Sequence, residues 1–303
     1  MQRQLTIWGG VSPRGIRLRG QSIIEHVLTI AVIGLVIVFA GPGVAGAIRN
    51  QFNLVGNTVN SGTTGGAEGG TSGGGSTGTA SATVQAAIVK DEKDWTLDEQ
   101  KAVAEDIAAK GEASPAYAKA KAAMDSGTKF SMKLTDGQTL EYRSIGINRD
   151  DLADGSGKAG LTFLTTSTGI KSRMNATNNN IGGWEKSEIR AKMNSGEIWN
   201  LMPSDFQFKV KSAEKLTINP IGSGERLAVA DKLFLLSYSE TVPTSYWADS
   251  DPLTSSEGAQ YEAFKGKVMN NHSGNECLKS DGFWWERSVN PFSFSFFCGV
   301  DFW

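Results

Sequence analysis

From Val27 to Ile48 the chain runs 22 residues without a charge, and that run limits the fold more than any other stretch. About 20 apolar residues are enough for an α-helix to cross roughly 30 Å of hydrocarbon. Gly41-Pro42-Gly43 should break or kink such a helix near its far end. Arg3, Arg14, Arg17 and Arg19 precede the run with no acidic residue before position 21, a basic leader that places this end on the cytoplasmic side of a membrane. Glu25 stands two residues ahead of the run. A carboxylate there costs about 3 kcal/mol on insertion scales and requires a partner or an interfacial position.

The remaining composition narrows the function classes. A net charge of -2 over 303 residues leaves no basic field for nucleic acid. Histidine occurs only at His26 and His272, too few for a His pair or a full Ser-His-Asp relay beside other His chemistry. Cys277 and Cys298 are the only cysteines, which excludes a disulfide-dense scaffold and a four-cysteine zinc site. No cofactor is called for.

Past Pro42 the positions Val44, Ile48, Phe52, Val55 and Val59 recur at helical steps. Residues 61–82 are almost wholly Gly, Ser and Thr with one charge, Glu68, a composition that reads as a flexible tether. Residues 83–127 turn to Ala, Lys, Asp and Glu. Thr96-Leu97-Asp98-Glu99 has the spacing of a capping box for a helix to about Lys110 with Gly111 as its stop, and Ser114-Pro115 opens a second helix ending near Gly127. The expectation is a small helical hairpin.

From Lys129 the period changes to two. Phe130, Met132 and Leu134 lead to the turn Asp136-Gly137, and Leu140, Tyr142, Ile145 and Ile147 follow, a β-hairpin. The loop from Asn148 to Gly157 is rich in oxygen ligands, with Asp150 and Asp154 as weak calcium candidates. Leu161 stands at the twelfth position from Asp150 where an EF-hand has Glu, and Asx-turns in a solvated loop explain the composition better. Gly182 to Asn194 reads as one helix, and Asp231 to Glu240 as a buried strand. The tail alternates aromatics from Phe283 to Phe302, a strand with one face open to a core or a ligand.

Two resemblances attach to these residues. Gly20 closing a basic leader, Glu25 as the fifth residue after it, the apolar run and Ala47-Ile48-Arg49-Asn50-Gln51-Phe52 resemble the prepilins of the type IV class, closest to the short Flp pilins. The resemblance implies cleavage by a prepilin peptidase between Gly20 and Gln21, and Glu25 setting register among other pilin subunits. It departs from the family at His26, where Flp pilins have Tyr. Ala45-Gly46-Ala47 is also an A-x-A site, so a secretory signal peptide cut before Ile48 is a second reading, and a simple membrane anchor a third.

The second resemblance rests on Gly182-Gly183-Trp184-Glu185-Lys186-Ser187-Glu188-Ile189-Arg190, Asp231-Lys232-Leu233-Phe234-Leu235-Leu236-Ser237-Tyr238-Ser239-Glu240, Glu257-Gly258-Ala259-Gln260-Tyr261-Glu262 and Trp284-Trp285-Glu286-Arg287-Ser288. These phrases are similar to a family of bacterial surface domains resembling the C-type-lectin-like fold, shared with formylglycine-generating enzymes and with the targets of diversity-generating retroelements. The resemblance implies a ligand-facing surface at Trp284, Trp285, Arg287, Asn290, Phe292, Phe294 and Phe296. Family members continue past the point where this chain stops, which implies a domain without its usual C-terminal end. A disulfide between Cys277 and Cys298 and two unpaired thiols both fit the residues; a catalytic pair is the formylglycine-type alternative.

The sequence therefore predicts an α+β protein in five parts: a leader (1–20), a transmembrane and pilin-type helix (21–60), a flexible linker (61–82), a helical hairpin (83–127) and a lectin-like domain (128–303). The expected function is a non-enzymatic, surface-displayed pilin-like adhesin. It would sit in the inner or cytoplasmic membrane before assembly and on the cell surface or in an extracellular filament afterwards, binding an unidentified protein or glycan. A structural or secreted protein without a specific ligand is the alternative.

Overall fold

Thr96 opens a helix as its spacing predicts. The computed structural model describes residues 31–33, 36–40, 80–166, 170–218, 226–243, 257–269, 275–278, 282–290 and 295–300. In it the Thr96 hydroxyl accepts from the Glu99 amide while the Glu99 carboxylate accepts from the Thr96 amide, at the head of Leu97–Lys110. This helix, α2, follows α1 (Ala82–Ile88) and precedes α3 (Tyr117–Ser126). The expected two-helix hairpin is thus a layer of three helices. They bury Val84, Ala87, Val103, Ala104, Ile107, Ala120 and Met124 together.

The layer covers a five-stranded sheet. Strands β3 (Lys129–Lys133) and β4 (Thr139–Ile147) pair antiparallel across the Asp136-Gly137 turn, and β4 pairs with β5 (Ala159–Thr165). Every residue of β5 is buried, because α2 lies on one face and the core on the other. Gly160 makes the helix–sheet approach: a Cβ there would stand 1.8 Å from the Ala104 carbonyl oxygen.

The apolar N-terminal run is where sequence and structure part. Ala31–Ile33 and Val36–Ala40 are strands, β1 and β2, and among the described residues no helix is long and apolar enough to cross a membrane. The expected fold class, headed by a long transmembrane and pilin-type helix, is corrected on this point, as are the pilin and membrane readings built on it. The physical reason is local. Val32, Ile33, Val36, Ile37 and Val38 are β-branched, and Gly34 and Gly41 punctuate the run into strand lengths. A short apolar run carries no period that distinguishes buried strand from buried helix.

β2 is internal to the sheet, in the order β3-β4-β5-β2-β9, where β9 is Leu233–Phe234. It runs antiparallel to both neighbours, with Val38 opposite Thr162 and Ile37 opposite Leu233. Val38 and Phe39 are wholly buried. The Phe39 ring meets Phe163 and Phe206 edge-on at centroid distances of 5.6 and 6.2 Å.

β1 joins a second sheet, in the order β11-β10-β1-β6, with β6 at Lys171–Ser172, β10 at Trp284–Val289 and β11 at Phe297–Val300. A two-stranded ribbon, β7 (Ala213–Ile218) with β8 (Arg226–Asp231), completes the strands described. Between the sheets lie short helices: α4 (Gly183–Lys186), α5 (Glu188–Asn194), α6 (Glu197–Leu201) and α7 (Ser204–Lys209). The single helix expected over Gly182 to Asn194 is broken at Ser187, whose hydroxyl caps α5 by accepting from the Arg190 amide. The strand expected over Asp231 to Glu240 is also shorter. It ends at Phe234, and Ser237 with Glu240 forms a second capping box over α8 (Tyr238–Thr241). Gly20, Gln21, Glu25, the stripe from Val44 to Val59 and residues 61–79 lie outside the described residues.

Candidate functional site

β10 carries alternating side chains to two faces, and Arg287 is the one that reaches the centre of the molecule. It is fully buried. Its guanidinium donates to the Leu235 carbonyl at 2.8 Å, the Glu257 carbonyl at 2.7 Å and the Leu216 carbonyl at 3.2 Å, and to Glu240 Oε2 at 2.6 Å. One side chain thereby fixes β7, the segment after β9, α8 and the 257–261 segment to β10. Gly258 sits over the same carboxylate; a Cβ there would fall 2.9 Å from Glu240 Oε1.

Glu240 continues the network. Its second oxygen pairs with Lys215 Nζ at 2.6 Å, and Lys215 pairs with Asp150 at 2.8 Å and donates to the Tyr261 hydroxyl at 3.1 Å. Asp150 also accepts from the Tyr261 hydroxyl at 2.8 Å and from Thr162 at 2.5 Å. Lys215 lies 4.4 Å above the Phe234 ring. Buried charges persist only when paired and hydrogen-bonded, and these meet both conditions.

The protonation states follow from the pairing. Burial pushes the Glu240 carboxyl up, but Arg287 and Lys215 outweigh it and hold its pKa down to about 2. Burial likewise opposes ionisation of Asp150, and Lys215 beside it reverses the balance, leaving its pKa lowered. Burial raises Tyr261 well above its ordinary value, with Asp150 and Glu240 adding to the effect. Glu257 goes the other way. Burial raises its pKa despite Arg287 nearby, and its carboxyl is held by the Ser288 hydroxyl and by the Ile218 amide at 3.1 Å. Two carboxylates, Asp150 and Glu240, therefore balance two cations, Lys215 and Arg287, with Glu257 beside them, its pKa raised by burial.

A second, smaller network ties in the remaining motif phrase. Asp231 is fully buried and accepts from Trp184 Nε1 at 2.8 Å and Arg190 Nε at 2.7 Å. The phrase from Asp231 to Glu240 thus links all four: its first residue holds Trp184 and Arg190, and its last meets Arg287, which also holds the Glu257 carbonyl. Their chemistry is that of a clamp. Each carboxylate and cation in it has a partner inside the protein, so the clamp orients strands.

The residues expected to face a ligand divide. Trp284 is buried, its Nε1 donating to the Leu278 carbonyl at 3.2 Å, and Arg287 belongs to the clamp. Trp285, Asn290 and Phe296 remain half-buried, Trp285 within β10 and the other two beyond the far end of the β10–β11 ladder. Phe283 meets the Trp285 ring edge-on at 4.9 Å. Asn290 and Asn180 both donate to the Phe296 carbonyl at 2.9 Å, the first from its backbone amide and the second from Nδ2. The Trp285 Nε1 has no hydrogen-bond partner. Phe292 and Phe294 lie outside the described residues.

Cys277 and Cys298 are not bridged. The Cys277 carbonyl accepts from the Arg143 guanidinium, and Cys298 Sγ lies 3.8 Å from the Val289 carbonyl. The two calcium candidates are far apart in role: Asp150 is inside the clamp, while Asp154 is at the surface, where Ser156 and Lys211 hold its pKa down to about 2. Among the described residues no group of three His, Cys, Asp or Glu side chains is placed to hold a metal.

Lys215, Glu240, Glu257 and Tyr261 were not singled out by the sequence reading. A signal was present, because Lys215 falls on the inward phase of β7, whose burial alternates from Ala213 onward, and Glu240 ends an apolar run. A charge on an apolar phase marks a buried pair.

No curated protein and no solved structure matches the chain, so no relative supports the pilin or the lectin resemblance. A family model described as a domain of unknown function, DUF6273, matches residues 159–301, a span that holds all four phrases, with β10, and most of the clamp.

Proposed function

We propose that this chain is a non-catalytic binding protein that receives its ligand on the half-buried aromatic pair Phe283 and Trp285. The observation that carries the reading is the contrast along β10. Arg287 is anchored at four points in the core, while Trp285 keeps part of its ring at the surface, packed edge-on against Phe283. A rigid aromatic held by a preorganised strand is the usual anchor of a binding surface. The ligand is a protein or a glycan.

The test is a glycan and protein array probed with the full chain, followed by titration of any hit with Trp285→Ala. Saturable binding weakened at least tenfold by the substitution supports the reading; no saturable binder, or binding indifferent to Trp285, overturns it. A second reading, a structural protein that packs only against copies of itself, is favoured by the placement of β1 and β2.

A further inference from the structure

We infer that the slot between β5 and β9 can be filled by β2 of a second copy of this chain, so that the N-terminal arm links molecules by strand exchange. β2 is an internal strand, yet residues 41–79 separate it from the next described element, and β1, just ahead of it, would travel with it. Its neighbours β5 and β9 lie more than a hundred residues downstream, and without β2 both would present unpaired backbone edges. The slot is apolar and specific: Phe163 and Phe206 receive Phe39, and Leu233 and Leu161 stand at register positions beside it.

Exchange leaves every one of these contacts unchanged, since the incoming strand is identical and its register is set by the same side chains. Main-chain hydrogen bonds supply affinity and the buried aromatic supplies specificity, as when an extended segment is added to an open sheet. The connecting sequence allows it. Residues 41–79 number 39, and at roughly 3.3 Å per residue their contour allows a span of up to about 130 Å. A body of about 220 residues has a radius of gyration near 17 Å, so the arm is long enough to pass from one copy to its neighbour.

Concentration decides between closure and exchange. A tether of this kind gives the chain's own strand an effective concentration on the order of 1 mM, so at 0.1 mM about one molecule in ten should be exchanged, and tenfold dilution should reduce that fraction about tenfold.

The experiment uses full-length chains in which Cys277 and Cys298 are replaced by Ser. One copy carries Val36→Cys with one affinity tag, and the other carries Leu164→Cys with a second tag; these positions face each other in the ladder. The copies are mixed, unfolded, refolded together at 0.1 mM and oxidised. A chain carrying both substitutions is the reference. The expected result is an intrachain bridge in the double variant and a doubly tagged, disulfide-linked product from the mixed copies, rising with concentration. An intrachain bridge with no doubly tagged product overturns the exchange. Failure of the double variant to bridge overturns it too, by removing β2 from the slot. Neither outcome depends on whether the aromatic pair binds a ligand.

Discussion

Replacing Arg287 by methionine removes a cation from the centre of the clamp while leaving a side chain of similar length. Glu240 then keeps Lys215 but loses one of its two cations, and the carbonyls of Leu216, Leu235 and Glu257 each lose a donor. Breaking a buried ion pair from one side costs about 3–5 kcal/mol, and each orphaned carbonyl adds about 1 kcal/mol or more. A loss of at least about 5 kcal/mol is expected, against a total of roughly 5–15 kcal/mol for a domain. With a urea m-value of about 2.5 kcal/mol/M, the midpoint should fall by about 2 M in urea titrations followed by tryptophan fluorescence. Adding Glu240→Gln should restore about 2 kcal/mol, because the carboxylate left unmatched is then gone. The reasoning is refuted if Arg287→Met stays within about 1 kcal/mol of the parent, or if the second substitution destabilises the first further.

Four other predictions rest on the same structure. Glu240 has its folded pKa lowered to about 2 from 4.5, so its contribution, on the order of 3 kcal/mol, is complete above pH 4.5 and should disappear as the pH falls towards 2. Glu257 is raised above 4.5 and binds its proton more tightly when folded, so the parent should lose stability as pH rises from about 5, whereas Glu257→Gln should not; parallel urea midpoints for the two proteins between pH 4.5 and 8 would show the acid to be ionised in the fold. Gly160→Ala forces a Cβ against the Ala104 carbonyl and should cost about 3 kcal/mol by moving α2 off β5, with a thermal midpoint unchanged within error counting against that packing. Cleavage after Ala47 would take β1 and β2 away with the leader, so Edman sequencing of the secreted protein should find its N-terminus ahead of Ala31, and an N-terminus at Ile48 would exclude β2 from the mature sheet.

Elements specified by neighbours in sequence were legible: the Thr96–Glu99 cap, the stop at Gly111 and the turn at Asp136-Gly137 depend on residues within a few positions. Those decided by distant partners were not. The run from Ala31 to Ala40 is apolar on all sides, and only the vacancy between β5 and β9 makes it a strand. The motif phrases were legible as signals and misplaced in role, because Trp284 and Arg287 look the same in sequence whether a strand turns them outward or inward. Lys215 and Glu240 betrayed their burial only through the phase of their neighbours, and their partner Asp150 was read as a loop ligand because the loop around it is polar.

The placement of β2 also sets an order of events during synthesis. Val38 pairs with Thr162, and Ile37 with Leu233, so a strand made near the start is among the last to be fully housed. At roughly 5–20 residues per second, the ribosome needs about 6–25 s to reach Thr162 after Val38 and about 10–40 s to reach Leu233 after Ile37. Until β5 is made, the most apolar segment of the chain has neither of its strand partners. Pairings of such high sequence separation also slow the final closure. The nascent chain must therefore depend on whatever shelters an extended apolar segment, a chaperone or a translocation channel, and its yield should track that shelter more closely than the stability of the finished fold.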